Sequence, residues 1–531
     1  MKIVTVKQMQ AIEKSADSTG LSYSIMMENA GQGIANWLKT HLTFSRGVIG
    51  LVGSGNNGGD TLIALKNLSE LGIRTIAFTV KSRENDQLIS ALVNSGGSHV
   101  DITQGDFFDQ MEAALIPGVI VLDGILGTGL RLPLRGELSD RMGMIHDLIE
   151  NRSGARIIAV DCPSGVDCDT GEVSDVTFHA EQTLCMAAIK QGLMKHPGHS
   201  FAGKINLIDI GITDLHNQFV VNNPEMIDRT WVEKRLPVRQ NTGHKGTFGT
   251  CFMLAGSKPF TGAVYLAGKA AYRSGCGLVN IGTIDVVHRS LSGQLIEAVW
   301  TILPDLEGAY DPGGIDILCN KVIAADALVV GPGWGLTNHQ EFYLRRLMPI
   351  IPNDMPTLFD ADGLKLLSKI EDWWDKLPEQ TILTPHPGEM AILTGLEVKY
   401  IQENRWEIAR KFAQRWKVVL ILKGAVSVVA LPSGGVYVIP VSDSALATAG
   451  SGDVLSGMIG GMLAQGYDVS QSAIMGTWMH ANAGIFARKK LGGSYSVTAL
   501  DILDSIPDVY ANVSGRFLED QGTKVKYNVD N

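Results

Sequence analysis

The chain has 531 residues, 45% hydrophobic and 19% charged, with a formal net charge of −10. Such a length and apolar content call for two or three globular domains with buried cores and exclude a fibre. The acidic balance excludes a sequence-independent grip on nucleic-acid phosphates or anionic lipid, so a small anionic ligand must be held by local backbone donors.

The opening Met1-Lys2-Ile3-Val4-Thr5-Val6 enters an amphipathic helix and lacks the apolar core of a signal peptide. No run reaches the length of a membrane span. The six cysteines (Cys162, Cys168, Cys185, Cys251, Cys276, Cys319) are scattered, with neither a CxxC pair nor zinc spacing. A cytoplasmic protein with reduced thiols is expected.

Short β-rich apolar runs then alternate with helical patterns, the pattern of parallel α/β sheets. Val48 to Val52, Thr75 to Val80, Val119 to Leu122 and Ile157 to Val160 are predicted strands, with helices such as Thr61 to Leu71 between them. They predict a Rossmann-like, doubly wound domain over residues 1–215. The composition turns polar and aperiodic through Pro224 to Pro237, and a linker is placed at 216–230. A second α/β series over 231–513 has strands at Thr250 to Leu254, Ala327 to Val330, Thr357 to Phe359 and Val418 to Leu422. Its helices include Gly262 to Arg273 and Val454 to Leu463. Residues 514–531 read as a polar tail.

In the first domain, Gly53-Ser54-Gly55-Asn56-Asn57-Gly58-Gly59-Asp60 follows a strand and contains GxGxxG. An NADP-dependent dehydrogenase is compatible with Lys81 and Arg83 after the next strand. Against it, Asn56, Asn57 and Asp60 put amides and a carboxylate where a dehydrogenase needs bare backbone. Asp123-Gly124-Ile125-Leu126-Gly127-Thr128-Gly129-Leu130 and Asp161-Cys162-Pro163-Ser164-Gly165 follow further strands, and such strand ends share one sheet edge. Asn57, Asp123 and Ser164 offer oxygens to a hard cation. Asp161, ending an apolar strand, is a candidate acid or base.

This series resembles the NAD(P)H-hydrate epimerase domain, also called the YjeF N-terminal domain, with Thr61 where that family usually has glycine. The resemblance implies that Asn56, Asn57, Gly58, Gly59, Asp60, Gly127, Thr128, Gly129, Leu130, Arg131, Leu132, Pro133 and Asp161 bind the hydrate, with Asp161 catalytic. It further implies potassium at Asn57, Asp123 and Ser164.

The second domain carries His244-Lys245-Gly246-Thr247-Phe248-Gly249, Gly262-Ala263, Gly331-Pro332-Gly333-Trp334-Gly335, Asp360-Ala361-Asp362-Gly363, Thr384-Pro385-His386-Pro387-Gly388-Glu389 and Lys423-Gly424-Ala425-Val426-Ser427. Last comes Ala449-Gly450-Ser451-Gly452-Asp453, a glycine turn opening a helix, where N–H groups and the helix dipole suit phosphoryl chemistry on a hydroxyl. In order, these motifs resemble the ribokinase-like superfamily and, within it, the ADP- or ATP-dependent NAD(P)H-hydrate dehydratases. Kinases of the superfamily often have Pro-Asn-x-x-Glu where this chain has Pro385-His386-Pro387-Gly388-Glu389, and a histidine suits a flat heterocycle.

The resemblance implies that Ala263, Gly333, His386 and Asp453 bind the hydrate. Lys423, Gly424, Ala425, Val426, Ser427 and Gly452 bind ADP or ATP, accompanied by Mg2+. Asp453 accepts the proton of the 6-hydroxyl as it is phosphorylated, and loss of phosphate restores NADH or NADPH. The first domain converts the R hydrate into the S form used by the second. Fusion of both in one chain looks like the ADP-using arrangement. A homo-oligomer is expected, with no nucleic-acid and no membrane partner. Two other readings stand beside this one: a vitamin-type kinase fused to a ligand-binding domain, and a non-catalytic scaffold.

Overall fold

The computed structural model describes residues 1–41, 47–83, 85–104, 107–150, 154–212 and 223–514. The expected tail beyond Ser514 and the expected linker over 216–222 lie outside the described residues. The chain divides into two compact units, Met1–Asn223 and Pro224–Asn531. Among the described residues no helix is long and apolar enough to cross a membrane.

The first unit is built on strands β1 (Val48–Val52), β2 (Thr75–Thr79), β3 (Ser98–Asp101), β4 (Ile120–Gly124), β5 (Arg156–Val160), β6 (Gln182–Met186) and β7 (Lys204–Ile208). They form one parallel sheet in the order β3-β2-β1-β4-β5-β6-β7. The order reverses between β1 and β4, the switch point where doubly wound sheets place ligands. Every residue of β1 and β4 is buried, as a sheet covered on both faces requires. Ile3–Val4 pairs in parallel with Ile189–Lys190 as a separate two-stranded ladder. The helix expected from Thr61 instead runs Asn56–Glu70. Asn56, Asn57, Gly58, Gly59 and Asp60 are therefore its first turn rather than a loop: Gly55 is its N-cap without a side-chain bond, so no earlier residue signals the start.

The second unit contains β8 (Glu225–Met226), β9 (Thr250–Leu254), β10 (Leu278–Ile284), β11 (Val299–Leu303), β12 (Ala327–Val330), β13 (Thr357–Phe359), β14 (Thr381–Leu383), β15 (Val419–Leu422), β16 (Ser427–Ala430) and β17 (Val436–Ile439). The sheet order is β8-β17-β16-β15-β14-β13-β12-β9-β10-β11. Only the pairs around β16 are antiparallel. Strand β8, inside the segment expected as linker, pairs in parallel with β17.

The helix Ser451–Ala464 lies against Thr261–Arg273 and buries Val454, Leu455, Met458, Ile459, Met462 and Leu463. Each such side chain contributes ~2 kcal/mol on leaving water, which anchors the helix whose start carries Asp453.

Candidate active sites

In the first unit the loops after β1, β4 and β5 come together as the switch point requires. The Ser164 backbone N–H and hydroxyl donate to the two oxygens of Asp123 at 2.7 and 2.5 Å. The Leu126 N–H donates to Ser164 Oγ at 2.8 Å, and Asn57 Nδ2 donates to the Leu126 carbonyl at 3.0 Å. Burial pushes the Asp123 carboxyl up to about 6, against the hydrogen bonds from Ser164. Asn57 Oδ1 is buried and has no partner among the described residues. An orphaned amide oxygen on a loop cluster that also carries a buried carboxylate and a hydroxyl is chemically suited to a hard cation of low charge, which Asn57, Asp123 and Ser164 could hold. Among the described residues, no three His, Cys, Asp or Glu side chains gather as a metal site elsewhere.

Asp161 stands at the end of β5 with φ 64, and its Oδ1 accepts from the buried Lys190 ammonium and from the Met186 N–H at 3.0 Å. Asp60 is buried on the first helical turn, and the Asp60 and Asp161 carboxyls interact electrostatically. Gly127 lies over Asn57: a Cβ there would sit 3.4 Å from the Asn57 side chain. Thr128, Gly129, Leu130, Arg131, Leu132 and Pro133 continue that loop. The sequence reading missed Lys190. Its one signal is a charge closing an otherwise uncharged run from Thr183 to Ile189.

In the second unit, Gly450 caps the helix Ser451–Ala464 in the left-handed region at φ 89, where a side chain would be strained and would meet Leu266 at 2.5 Å. The Ser451 N–H is taken by the Thr448 carbonyl at 3.3 Å, while among the described residues nothing accepts from the N–H of Gly452 or Asp453. Two open donors at a helix start form an anion site. Burial first, and then the Asp360 carboxylate, push Asp453 up to about 7, with Lys423 opposing.

Lys423 Nζ donates to Asp360 Oδ1 at 2.7 Å and lies 3.7 Å from Glu389 Oε2. Asp360 also accepts from Thr384 Oγ1 at 2.7 Å and Ser456 Oγ at 2.6 Å. Burial alone would raise Asp360, but Lys423 and these hydroxyls hold it below the usual carboxylate range. The same carboxylates, Asp360 before Glu389, outweigh burial and hold the Lys423 ammonium above its usual range. A Cβ on Gly452 would stand 3.5 Å from Lys423 Nζ, which places the ammonium beside the anion-binding turn.

His386 is the N-cap of the helix Pro387–Thr394. Its Nδ1 accepts from the N–H groups of Gly388 and Glu389 at 3.0 and 3.2 Å, while Glu389 accepts from the His386 N–H at 2.9 Å. Both bonds to Nδ1 require it unprotonated, so the ring proton sits on Nε2. Partial burial and then Lys423 lower His386 from its ordinary range. Half of the ring is exposed. Its Nε2 lies 3.4 Å from Glu389 Oε1, so both ring nitrogens stand by the first turn of the helix.

Ala263 and Gly333 meet: a Cβ on Gly333, at φ 56, would lie 2.8 Å from the Ala263 Cβ. The turn Lys423–Val426 is held by a residue absent from the sequence reading. Arg405 Nη2 donates to the carbonyls of Leu422, Lys423 and Val426 at 2.8, 3.2 and 3.2 Å. Burial lowers this guanidinium to about 10. At the start of an amphipathic helix, Arg405 looks like any solvated charge in the sequence. Ser427 closes the turn, its Oγ donating to the Gly424 carbonyl at 3.2 Å.

Two family models match the chain: that of the YjeF-related protein N-terminus over residues 23–192, and that of the NAD(P)H-hydrate dehydratases over residues 251–508. The bifunctional NAD(P)H-hydrate repair enzyme Nnr of Moorella thermoacetica is 33% identical over 524 residues, covering 97% of each chain. The enzyme of the same name from Escherichia coli is 29% identical, covering 93% of this chain and 90% of its own. Among solved structures, the ADP/ATP-dependent NAD(P)H-hydrate dehydratase of Bacillus subtilis, co-crystallised with ATP and Mg2+, is 30% identical. It matches 55% of this chain and 99% of its own with a TM-score of 0.46.

Proposed function

The chain belongs to the family of bifunctional NAD(P)H-hydrate repair enzymes, and on that premise we propose how its two sites divide the work. The N-terminal site interconverts the R and S hydrates. The C-terminal site dehydrates the S form to NADH or NADPH at the expense of ADP or ATP. The observation that carries the second assignment is Asp453, a half-buried carboxyl in the helix turn that has two open N–H groups and the Lys423 ammonium nearby.

Hydration of the nicotinamide ring leaves a 6-hydroxyl, and hydroxide is a poor leaving group. Asp453 takes the hydroxyl proton as the oxygen attacks the terminal phosphoryl group. The N–H groups of Gly452 and Asp453 face the charge that develops on the transferred phosphoryl, and Lys423 adds a positive charge beside them. Phosphate then departs and the ring double bond returns. Ala263, Gly333 and the half-exposed ring of His386 hold the hydrate, and the turn Lys423–Ser427 with Gly452 holds the nucleotide. Mg2+ supplies charge neutralisation to the nucleotide phosphates when bound. Asn57, Asp123 and Ser164 would hold potassium, which would supply fixed positive charge at the epimerase loops. The six free, buried thiols support a reducing compartment such as the cytoplasm.

The test is recovery of the near-ultraviolet absorbance of reduced nicotinamide from a racemic hydrate with ADP, ATP or neither. Full conversion with one nucleotide is expected. Conversion stopping at half removes the epimerase assignment, and a stable phosphorylated vitamin with no hydrate turnover replaces the reading with that of a kinase.

A further inference from the structure

Lys190 is fully buried, yet its ammonium is saturated: it donates to Asp161 Oδ1 and to the carbonyls of Met186 and Ala188 at 3.0 and 3.2 Å. Ala187, between those carbonyls, and Asp161 both adopt left-handed backbone, at φ 58 and φ 64. For residues other than glycine that costs ~1–3 kcal/mol and persists only where the surroundings impose it, which is typical of functional sites. One oxygen of Asp161 thus has a counter-ion and an N–H, while among the described residues nothing donates to Oδ2.

Asp60 is the opposite case. It is 8% exposed, and among the described residues it has no ion pair of the kind that holds Asp161, its oxygens being left to the solvent side. Asp161, Glu13 from the helix Val6–Ser18, and Lys190 lie near enough to act on it electrostatically. Burial, then Asp161 and Glu13, push Asp60 well above the usual carboxylate range, with Lys190 opposing. Glu13 is itself raised by burial. A carboxyl withdrawn from water without donors holds its proton more readily, which suits Asp60 to give one. Asp161, fixed by the Lys190 ammonium with one oxygen left open, is placed to receive one.

We propose that Asp60 and Asp161 are the acid and base of hydrate epimerisation, with Lys190 the positioning residue that holds the Asp161 carboxylate; this rests on the reading of the N-terminal unit as the epimerase. Asp60 gives its proton to the 6-hydroxyl of the R hydrate. The C6–O bond breaks, water leaves, and the lone pair of the adjoining ring nitrogen forms an N1=C6 double bond. Water adds to the other face of C6, a new C6–O bond forms, the N1=C6 pair returns to nitrogen, and Asp161 accepts the proton of the attacking water. One proton is given and one taken, so no further reactant is required. Return of the proton from Asp161 to Asp60 through solvent resets the site.

The test uses the full chain, with ADP-dependent dehydration of pure S hydrate as an internal check on folding. Asp161→Asn abolishing epimerisation establishes the site. Retention of epimerisation in that variant would overturn the underlying reading and with it the proposal. With the site established, Asp60→Asn is expected to lower the epimerase kcat on the order of 100-fold with KM within about threefold, and Asp60→Glu to restore part of it. The wild-type rate should also fall at alkaline pH as Asp60 loses its proton, and that limb should vanish in Asp60→Asn. Lys190→Met should lower the epimerase kcat with KM little changed, and Lys190→Arg should restore part of it. A raised KM at unchanged kcat in Asp60→Asn, or an alkaline limb that survives there, overturns the acid assignment.

Discussion

Lys423 and Asp360 form an ion pair 2.7 Å long whose second carboxylate, Glu389, stands 3.7 Å from the same ammonium. Removing one partner of such a pair leaves an uncompensated buried charge. Lys423→Met is therefore expected to destabilise the C-terminal unit by about 3 kcal/mol, read by chemical denaturation. Lys423 opposes the upward shift of Asp453, so the variant's residual dehydration should also need a higher pH than the parent.

Asp453 sits at about 7 in the fold, against ~4 for an aspartate in an unfolded chain. As a base it works only when ionised, so dehydration should rise with pH through about 7 and level off above. The folded pKa is raised: between the two values the unfolded chain releases a proton that the folded chain keeps, and stability falls as pH rises. Asp453→Asn should lose dehydration, retain R/S interconversion, and be more stable than the parent at about pH 8, with the gap closing toward pH 4. Loss of both activities in a folded variant would refute the division between sites.

Arg405 touches three carbonyls of the expected nucleotide turn. Arg405→Met leaves those carbonyls to water and frees the turn. The KM for ADP or ATP should rise about tenfold, the equivalent of ~1.4 kcal/mol, with epimerisation unchanged. Equal loss of both activities would point to unfolding instead.

His386 caps its helix through Nδ1, so a substitution that keeps the cap separates that role from hydrate binding. His386→Asn keeps a side chain that caps helices well, whereas His386→Ala loses the cap at a cost of about 1 kcal/mol. Both should raise the KM for the hydrate, but only the alanine variant should lower the melting temperature. If His386→Asn binds the hydrate as the parent does, the histidine serves the helix alone.

Exchange of potassium for tetramethylammonium should slow epimerisation and leave dehydration of pure S hydrate with Mg2+ unaffected. Asn57→Leu removes the orphaned oxygen and should abolish the potassium response, measured as rate against potassium concentration.

Much of this was legible in order along the chain. The run Val48–Val52 can only be a strand covered on both faces, and Gly450 before Ser451-Gly452-Asp453 marks a helix start, because these signals depend on neighbouring residues. The first turn Asn56–Asp60 was not legible as helix, since Gly55 gives the backbone no side-chain cap to announce it. Lys190 and Arg405 were harder still. Each is a single charge within an ordinary strand or helix, and its importance comes from groups 29 and 17 positions away in the chain, Asp161 and Leu422.

The sequence by itself determined the alternation of strands and helices, the two sets of glycine-rich loops, and hence two α/β units with those loops at strand ends. Only the tertiary structure decided which charges those units keep. The fold buries Lys423 against Asp360, leaves Asp453 without an equal partner, and gives Lys190 to Asp161 while giving Asp60 no such ion pair. Proton affinity in a protein interior is set by burial and by which opposite charge is adjacent, and neither quantity exists until distant segments meet.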